Sequence, residues 1–152
     1  MCKRIFVAID GSSTAKAALV EAIQFARLPG MSLCIGTVLD TGLLDQKSMG
    51  MGALIDTNQV KAEMHKAAEL LLDKAVVQAK EAGLEPYRIL IESDKKRVAE
   101  MIVEAAKQWD ADLIVIGTHG RRGFERMVMG SVAENLVRIA TTSLFLVRRK
   151  PA

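Results

Sequence analysis

Two kinds of apolar pattern alternate along the chain. Short unbroken apolar runs are typical of strands buried on both faces, whereas an apolar residue every three or four positions is typical of a helix packed on one side. Runs of the first kind predict five strands, at Arg4–Ile9, Ser32–Leu39, Tyr87–Ile91, Leu113–Ile116 and Ser143–Val147. Because helical segments separate all of them, the pattern predicts an α/β fold: a Rossmann-like, open five-stranded parallel sheet with helices on both faces.

The helical segments have recognisable starts and ends. The first follows Asp10-Gly11-Ser12-Ser13 and stops at Pro29-Gly30, and the second closes at Gly83. The third is predicted to start at Ser93-Asp94 and the fourth at Ser131, because serine and aspartate are favoured helix N-caps.

A glycine-rich segment follows the fourth predicted strand. It contains Gly117-Thr118-His119-Gly120 and, after nine intervening residues, Gly130-Ser131 at the start of the last helix. Glycines let the backbone approach a ligand closely, and the unpaired N–H groups at a helix start favour phosphate. An ordinary turn followed by a capping box of Ser131 and Glu134 explains the same residues, so the spacing alone leaves both interpretations open. Neither GxxxxGK[ST] nor GxGxxG occurs, which excludes a Walker-type loop and the usual dinucleotide fingerprint.

The positions of the glycine-bearing loops predict the strand order. In open parallel sheets the ligand binds at the carboxyl ends of the strands, where the order reverses. Asp10-Gly11-Ser12 follows the first strand and the glycine segment follows the fourth, whereas Glu92–Lys95 after the third strand contains no glycine. We therefore expect strands 1 and 4 to be neighbours, in the order 3-2-1-4-5, instead of the 2-1-3-4-5 order of response regulators.

Composition narrows the classes of function. The 152 residues, half of them apolar and only 4% aromatic, fit a single domain over residues 1–152. With a formal charge of only +3, scattered basic clusters and few aromatics, no nucleic-acid surface is expected. The chain shows no metal-ligand spacing, secretory segment or membrane-spanning run, so a cytoplasmic protein is expected. Cys2 and Cys34 are expected to be small buried thiols.

The two loop sequences together resemble a known family. Asp10-Gly11-Ser12 and Gly117-x2-Gly120-x9-Gly130-Ser131 look like the universal stress protein family, in particular its ATP-binding branch. The resemblance extends over essentially the whole chain, including the closing Thr141–Val147. It implies a nucleotide-binding domain.

The resemblance also implies residue roles. Asp10 would accept hydrogen bonds from the ribose hydroxyls, and Val38 would contact adenine. Gly117 and Gly120 would let the loop close over the ribose and phosphates, while the last helix would donate N–H groups to the phosphates. The full set of expected nucleotide-binding residues is Asp10, Gly11, Ser12, Val38, Gly117, His119, Gly120, Arg121, Gly130, Ser131 and Val132. A Mg²⁺ ion would be carried on the phosphates, because no cluster of carboxylates is evident for it.

Simpler roles remain open for several of these residues. Asp10 could serve only as a helix N-cap, and His119 could be a loop residue whose side chain hydrogen-bonds only to neighbouring residues. Arg121, Arg122 and Arg126 either reach phosphate or are solvated.

The resemblance implies an ATP-binding stress-response protein with a regulatory role. The resemblance implies a homodimer through the fifth strand, whose apolar residues Leu144–Val147 would otherwise leave an exposed edge. A slow ATP hydrolase or phosphoryl-transfer enzyme is the first alternative, although the chain offers no convincing base or metal carboxylate beyond Asp10. The second is a nucleotide-free protein-interaction module. In it the long connection at residues 40–57 would bind a partner instead of covering ATP.

Overall fold

The fold is built on a parallel sheet in a computed structural model that describes residues 1–41, 57–92, 95–119 and 129–149. The strands are β1 (Arg4–Ile9), β2 (Ser32–Leu39), β3 (Tyr87–Glu92), β4 (Leu113–Gly117) and β5 (Ser143–Val147). The helices in the described residues are α1 (Ser13–Ala26), α2 (Thr57–Glu81), α3 (Val98–Gln108) and α4 (Ser131–Ile139). All strand pairs are parallel and the order is β3-β2-β1-β4-β5, which confirms the predicted fold class and strand order.

Helices cover both faces of the sheet. On β1, Ile5, Val7 and Ile9 pack against α1 and α2, whereas Phe6 and Ala8 pack on the opposite face against α3 and α4. Successive side chains of a strand point to opposite faces, so a strand covered on both sides needs apolar residues at every position. This requirement is the physical reason for the unbroken apolar runs in the sequence.

Close packing inside the sheet explains one of its glycines. Gly36 on β2 lies beside Ala8 on β1. A Cβ atom on Gly36 would lie 2.6 Å from Cζ of Phe6, a side chain with 0% exposure. Glycine at this position therefore lets the buried phenylalanine ring lie across the neighbouring strand.

The start of the third helix differs from the prediction. Helix α3 begins at Val98, with Arg97 as its N-cap, so the predicted start at Ser93-Asp94 is wrong. Lys95 has a φ of 57°, in the left-handed region, which a right-handed helix cannot include. Ser93-Asp94 themselves, like residues 42–56 of the long connection, lie outside the described residues.

The two cysteines occupy different environments. Cys34 on β2 is buried, and its burial raises the pKa of the thiol to about 12. It is therefore protonated at neutral pH, as expected of a structural thiol. Cys2 precedes β1 and is exposed, so the expectation that both are buried is wrong for Cys2.

The amino-terminal edge of the sheet is held by a group of contacts around Asp112. Its Oδ2 accepts the N–H of Lys3 at 2.8 Å and that of Arg4 at 2.9 Å, and these hydrogen bonds lower the pKa of the Asp112 carboxyl. The Arg4 guanidinium lies 4.0 Å from the centre of the Trp109 ring.

Within the described ranges, no helix is both long and apolar enough to cross a bilayer.

Candidate functional site

The carboxyl ends of β2, β1 and β4 lie side by side. Ile9 at the end of β1 is paired with Thr37 of β2, and Val7 is paired with Val115 of β4. The strand order therefore reverses between β1 and β4, which is where ligands bind in open parallel sheets. Asp10, Val38 and the glycine segment that begins at Gly117 all emerge at this edge.

The turn between β1 and α1 has a well-defined hydrogen-bond pattern. Gly11 has a φ of +82°, which favours glycine, and Ser12 is the N-cap of α1, its Oγ accepting the N–H of Ala15 at 3.2 Å. Oδ1 of Asp10 accepts the N–H of Ser12 at 2.9 Å. The helix cap is thus Ser12, and the alternative in which Asp10 serves only as the cap is wrong. The role of Asp10 towards ribose stays a prediction.

Hydroxyl groups join this turn to the glycine segment. Oγ of Ser12 donates to the carbonyl oxygen of His119 at 3.2 Å, and Oγ1 of Thr14 donates to the same oxygen. The N–H of His119 in turn donates to Thr14 Oγ1 at 3.3 Å. The loops after strands 1 and 4 are therefore in direct contact, as the predicted strand order requires.

Gly117 has a packing role that was not predicted. It is the last residue of β4, and a Cβ atom there would lie 2.5 Å from Thr14 Oγ1 and 2.6 Å from the Thr14 carbonyl carbon. Strand β4 therefore approaches the first turn of α1 more closely than any other residue type would allow. The predicted role of Gly117, to let the loop close over the ribose and phosphates, is separate from this packing role and stays a prediction.

Thr118 connects both ends of the glycine segment. Its side chain is 1% exposed, and its N–H donates to the carbonyl of Val147 at 3.0 Å. Its own carbonyl accepts the N–H of Gly130 at 2.5 Å, and its Oγ1 lies 3.0 Å from Nδ1 of His119. Thr118 near the start of the glycine segment and Gly130 near its end are thus hydrogen-bonded to each other at the edge of the sheet. Gly120 and Arg121, with Arg122 and Arg126, lie outside the described residues.

The start of α4 differs from a capping box. Gly130 is the N-cap, with φ −74° and ψ 162°, and Ser131 is the first helical residue. The side chain of Glu134 pairs with Arg138 at 3.0 Å, so the capping box predicted for Ser131 and Glu134 is wrong. Since glycine has no side chain, the N-cap offers no oxygen to the first-turn N–H groups, in contrast to Ser12 at the start of α1.

Val38 and Val132 lie at the edge of the apolar layer beneath the site. Both are partly buried and pack against the cluster that joins the sheet to α3 and α4. Val38 is paired with Ile91 of β3. Their predicted contacts with a nucleotide would therefore come from the backbone and from the exposed part of each side chain.

Space for a ligand exists beside the first turn. A cavity of about 380 Å³ is lined by Asp10, Gly11, Ala67, Leu70, Leu71 and Lys74. Among the described residues, no group of three or more histidine, cysteine, aspartate or glutamate side chains is placed to hold a metal ion.

Sequence reasoning missed Thr14 and Thr118. Both are buried hydroxyl residues, at 4% and 1% exposure, and both contact the backbone or ring of His119. In the sequence, Thr14 lies next to the apolar stripe of the first helix, and Thr118 directly follows the fourth strand. Each residue has no other signal in the sequence. That signal does not distinguish a buried threonine from a solvated one.

The sequence was compared with known protein families. The sequence profile described as the Universal stress protein family matches residues 1–148. The chain belongs to the universal stress protein family. The earlier resemblance is confirmed at the level of the family.

Individual members are similar over nearly the full chain. A protein from Staphylococcus aureus strain USA300, described as a universal stress protein, is 31% identical over 148 residues, covering 96% of this chain and 84% of its own. A solved structure from the universal stress protein family of Burkholderia pseudomallei has a TM-score of 0.76 at 29% identity, covering 95% of both chains. The universal stress protein from Archaeoglobus fulgidus, solved in complex with dAMP, has a TM-score of 0.64 at 27% identity, covering 95% of this chain and 97% of its own.

Proposed function

We propose that this universal stress protein binds ATP at the sheet edge between β1 and β4, and that the nucleotide is a regulatory ligand for a stress response. One observation carries the proposal: Asp10, the His119 peptide and the N-terminus of α4, which lacks a capping side chain, all lie at the point where the strand order reverses. The structure of the Archaeoglobus fulgidus relative with dAMP supports an adenine nucleotide as the ligand.

The chemistry of each group suits one part of ATP. The carboxylate of Asp10 is oriented by the N–H of Ser12 and would accept hydrogen bonds from ribose hydroxyls. The first-turn N–H groups of α4 and the hydroxyl of Ser131 would donate to phosphate oxygens, where the helix dipole favours negative charge. The family resemblance assigns Gly120 to the ribose and phosphates, and Arg121 is a candidate contact to the phosphates. When bound, Mg²⁺ would neutralise part of the phosphate charge.

Thermal unfolding with and without Mg·ATP tests the proposal directly. A ligand that binds only the folded state at 100 times its dissociation constant stabilises that state by about 2.7 kcal/mol. For a protein of this size the melting temperature should rise by about 8 °C. No rise at millimolar Mg·ATP would contradict the proposed function.

A proline at the first position of α4 tests where the phosphates bind. Ser131→Pro removes one N–H donor and the hydroxyl, yet proline is favoured at this position and Gly130 already has the extended conformation that must precede it. We expect unchanged stability without ligand and at least half of the ATP-dependent rise lost. Ser13→Pro is the matched control, because Ser13 is the first residue of α1 and also follows an extended N-cap, Ser12. Equal ATP-dependent rises in the two variants would argue against phosphate at the start of α4.

We also propose that the protein forms a homodimer through β5. This strand is at the edge of the sheet, and Phe145 is 37% exposed there although its ring contacts Phe25. Sedimentation should give twice the 16.5 kDa mass of one chain, and Leu146→Glu should reduce it to one. Leu70→Glu is the control, since Leu70 is 55% exposed on α2, a helix that packs on β2 and β3 at the opposite end of the sheet from β5. An unchanged mass for Leu146→Glu would contradict the proposed interface.

A further inference from the structure

We propose that a cavity at the carboxyl ends of β2 and β3 is a second binding site, which takes a small neutral amino acid through its carboxylate and ammonium groups. The cavity has a volume of about 360 Å³, within the range of about 300–1,000 Å³ that is usual for small-molecule sites. Its lining combines apolar, basic and acidic residues: Leu39, Thr41, Lys61, Ala62, His65 and Glu92.

The sheet separates this cavity from the side chain that is expected to contact adenine. Successive side chains of a strand point to opposite faces of the sheet. Val38 and Ile91 pack in the layer with α3 and α4, so their neighbours Leu39 and Glu92 face α2. The cavity therefore lies on the other face of the sheet from the Val38 side chain, and the proposal does not depend on ATP binding.

The polar contacts between α2 and β3 change from one level of the interface to the next. Arg88 forms ion pairs with Glu69 and, at 3.3 Å, with Asp73. One helical turn before Glu69, Nε2 of His65 lies 3.7 Å from Oε1 of Glu92, which is too far for a direct hydrogen bond. The cavity lies at this second level, where the Glu92 side chain is 70% exposed. A ligand can therefore reach the carboxylate without breaking a hydrogen bond to His65.

Opposite charges on the two walls of the cavity determine the class of ligand. Lys61 and His65 are four residues apart on α2 and so lie on one face of the helix, whereas Glu92 is the last residue of β3. The Lys61 ammonium would hold a carboxylate, and the Glu92 carboxylate would hold an ammonium group. Leu39 and Ala62 offer apolar contacts to a short side chain. A neutral amino acid matches both walls, whereas a simple anion or cation matches only one.

Titration with L-alanine, followed by the amide chemical shifts of the isotope-labelled protein, tests the site. We expect saturable shifts at the residues that line the cavity. Propionate is L-alanine without its ammonium group, and ethylamine is L-alanine without its carboxylate. Each should bind at least about tenfold more weakly, as expected for the loss of a hydrogen-bonded charge. If either binds as tightly as L-alanine, one wall takes no part in recognition and the proposed class of ligand is wrong.

Two substitutions test the two walls separately. Glu92→Gln and Lys61→Met should each weaken L-alanine binding by about tenfold. Glu92→Gln should leave propionate binding within about twofold of that of the unmodified protein, because propionate has no ammonium group for Glu92 to hold. Glu85→Gln and Lys80→Met are the matched controls, since they remove the same charges from exposed positions at the other end of α2. Both should bind L-alanine as the unmodified protein does.

The remaining outcomes also decide the proposal. It is wrong if L-alanine produces no saturable shifts, or if the shifts lie away from the cavity. It is equally wrong if Glu92→Gln weakens binding no more than Glu85→Gln, or if Lys61→Met weakens it no more than Lys80→Met. Failure to bind Mg·ATP would contradict only the proposed function, because no step of this test uses the nucleotide.

Discussion

Replacing Gly117 with alanine is expected to lower the free energy of unfolding by about 3 kcal/mol, the upper end of the usual range for overpacking. The added Cβ would lie 2.5 Å from Thr14 Oγ1 and 2.6 Å from the Thr14 carbonyl carbon. The second of these atoms belongs to the backbone of α1, so no change of rotamer relieves the contact. Strand β4 and helix α1 would have to move apart, which opens the layer between them. Urea unfolding followed by circular dichroism measures the loss.

Gly83→Ala is the matched control for this substitution. Gly83 has a φ of +87°, and a Cβ atom there would meet no atom of the described residues within 4 Å. Its replacement should therefore cost only the backbone strain of a left-handed alanine, about 1 kcal/mol. If Gly117→Ala is no more destabilising than Gly83→Ala, the tight contact with Thr14 is not a real constraint on the fold.

The packing of Gly117 changes how the glycine segment should be tested. A Gly117 variant that fails to bind ATP would not show that this glycine contacts the nucleotide, because the variant also disturbs α1. Ser131→Pro avoids the difficulty, since proline suits the first position of a helix. The role of a glycine in a binding motif is therefore best separated from its role in packing before either is assigned.

The sheet was predictable because each strand carries its own signal. The bounds of β1, β2 and β5 agree with the apolar runs at Arg4–Ile9, Ser32–Leu39 and Ser143–Val147. The strand order was predictable from the loops after the first and fourth strands, since ligand-binding loops of neighbouring strands meet at one edge of the sheet. Helix α3 was predicted to start too early because serine and aspartate favour turns as well as helix N-caps. The apolar stripe itself begins at Val98, where the helix starts.

The contacts inside the site were less predictable. Thr14 and His119 are separated by 105 positions in the sequence. The strand order places their loops side by side, but it does not determine which hydroxyl points into the space between them. That depends on how closely β4 and α1 approach at Gly117, where an added Cβ atom would lie 2.5 Å from Thr14 Oγ1, and this closeness is a property of the packed structure. The packing role of Gly117 could not be predicted, because a glycine needed for packing and one needed for a ligand look the same in sequence.

Asp10→Asn is expected to weaken binding of both ATP and adenosine by about 30-fold, which corresponds to about 2 kcal/mol. Hydrogen bonds to an ionised carboxylate are worth about 1.5–3 kcal/mol, roughly twice those to a neutral group. Asparagine keeps an oxygen that can accept the N–H of Ser12, now at 2.9 Å from Asp10 Oδ1, so the turn into α1 should be retained. The ratio of the two affinities should stay unchanged.

Two comparisons make the Asp10 prediction specific to ribose. Asp40→Asn removes a carboxylate from the same edge of the sheet, directly after β2 and exposed, and should have little effect on affinity. Removing the 2′-hydroxyl of adenosine should weaken binding to the unmodified protein but weaken it much less in Asp10→Asn, because the acceptor of that hydroxyl is already impaired. If the two losses simply add, Asp10 does not accept a hydrogen bond from the 2′-hydroxyl. If Asp40→Asn weakens binding as much as Asp10→Asn does, the loss is not specific to a hydrogen bond between Asp10 and ribose.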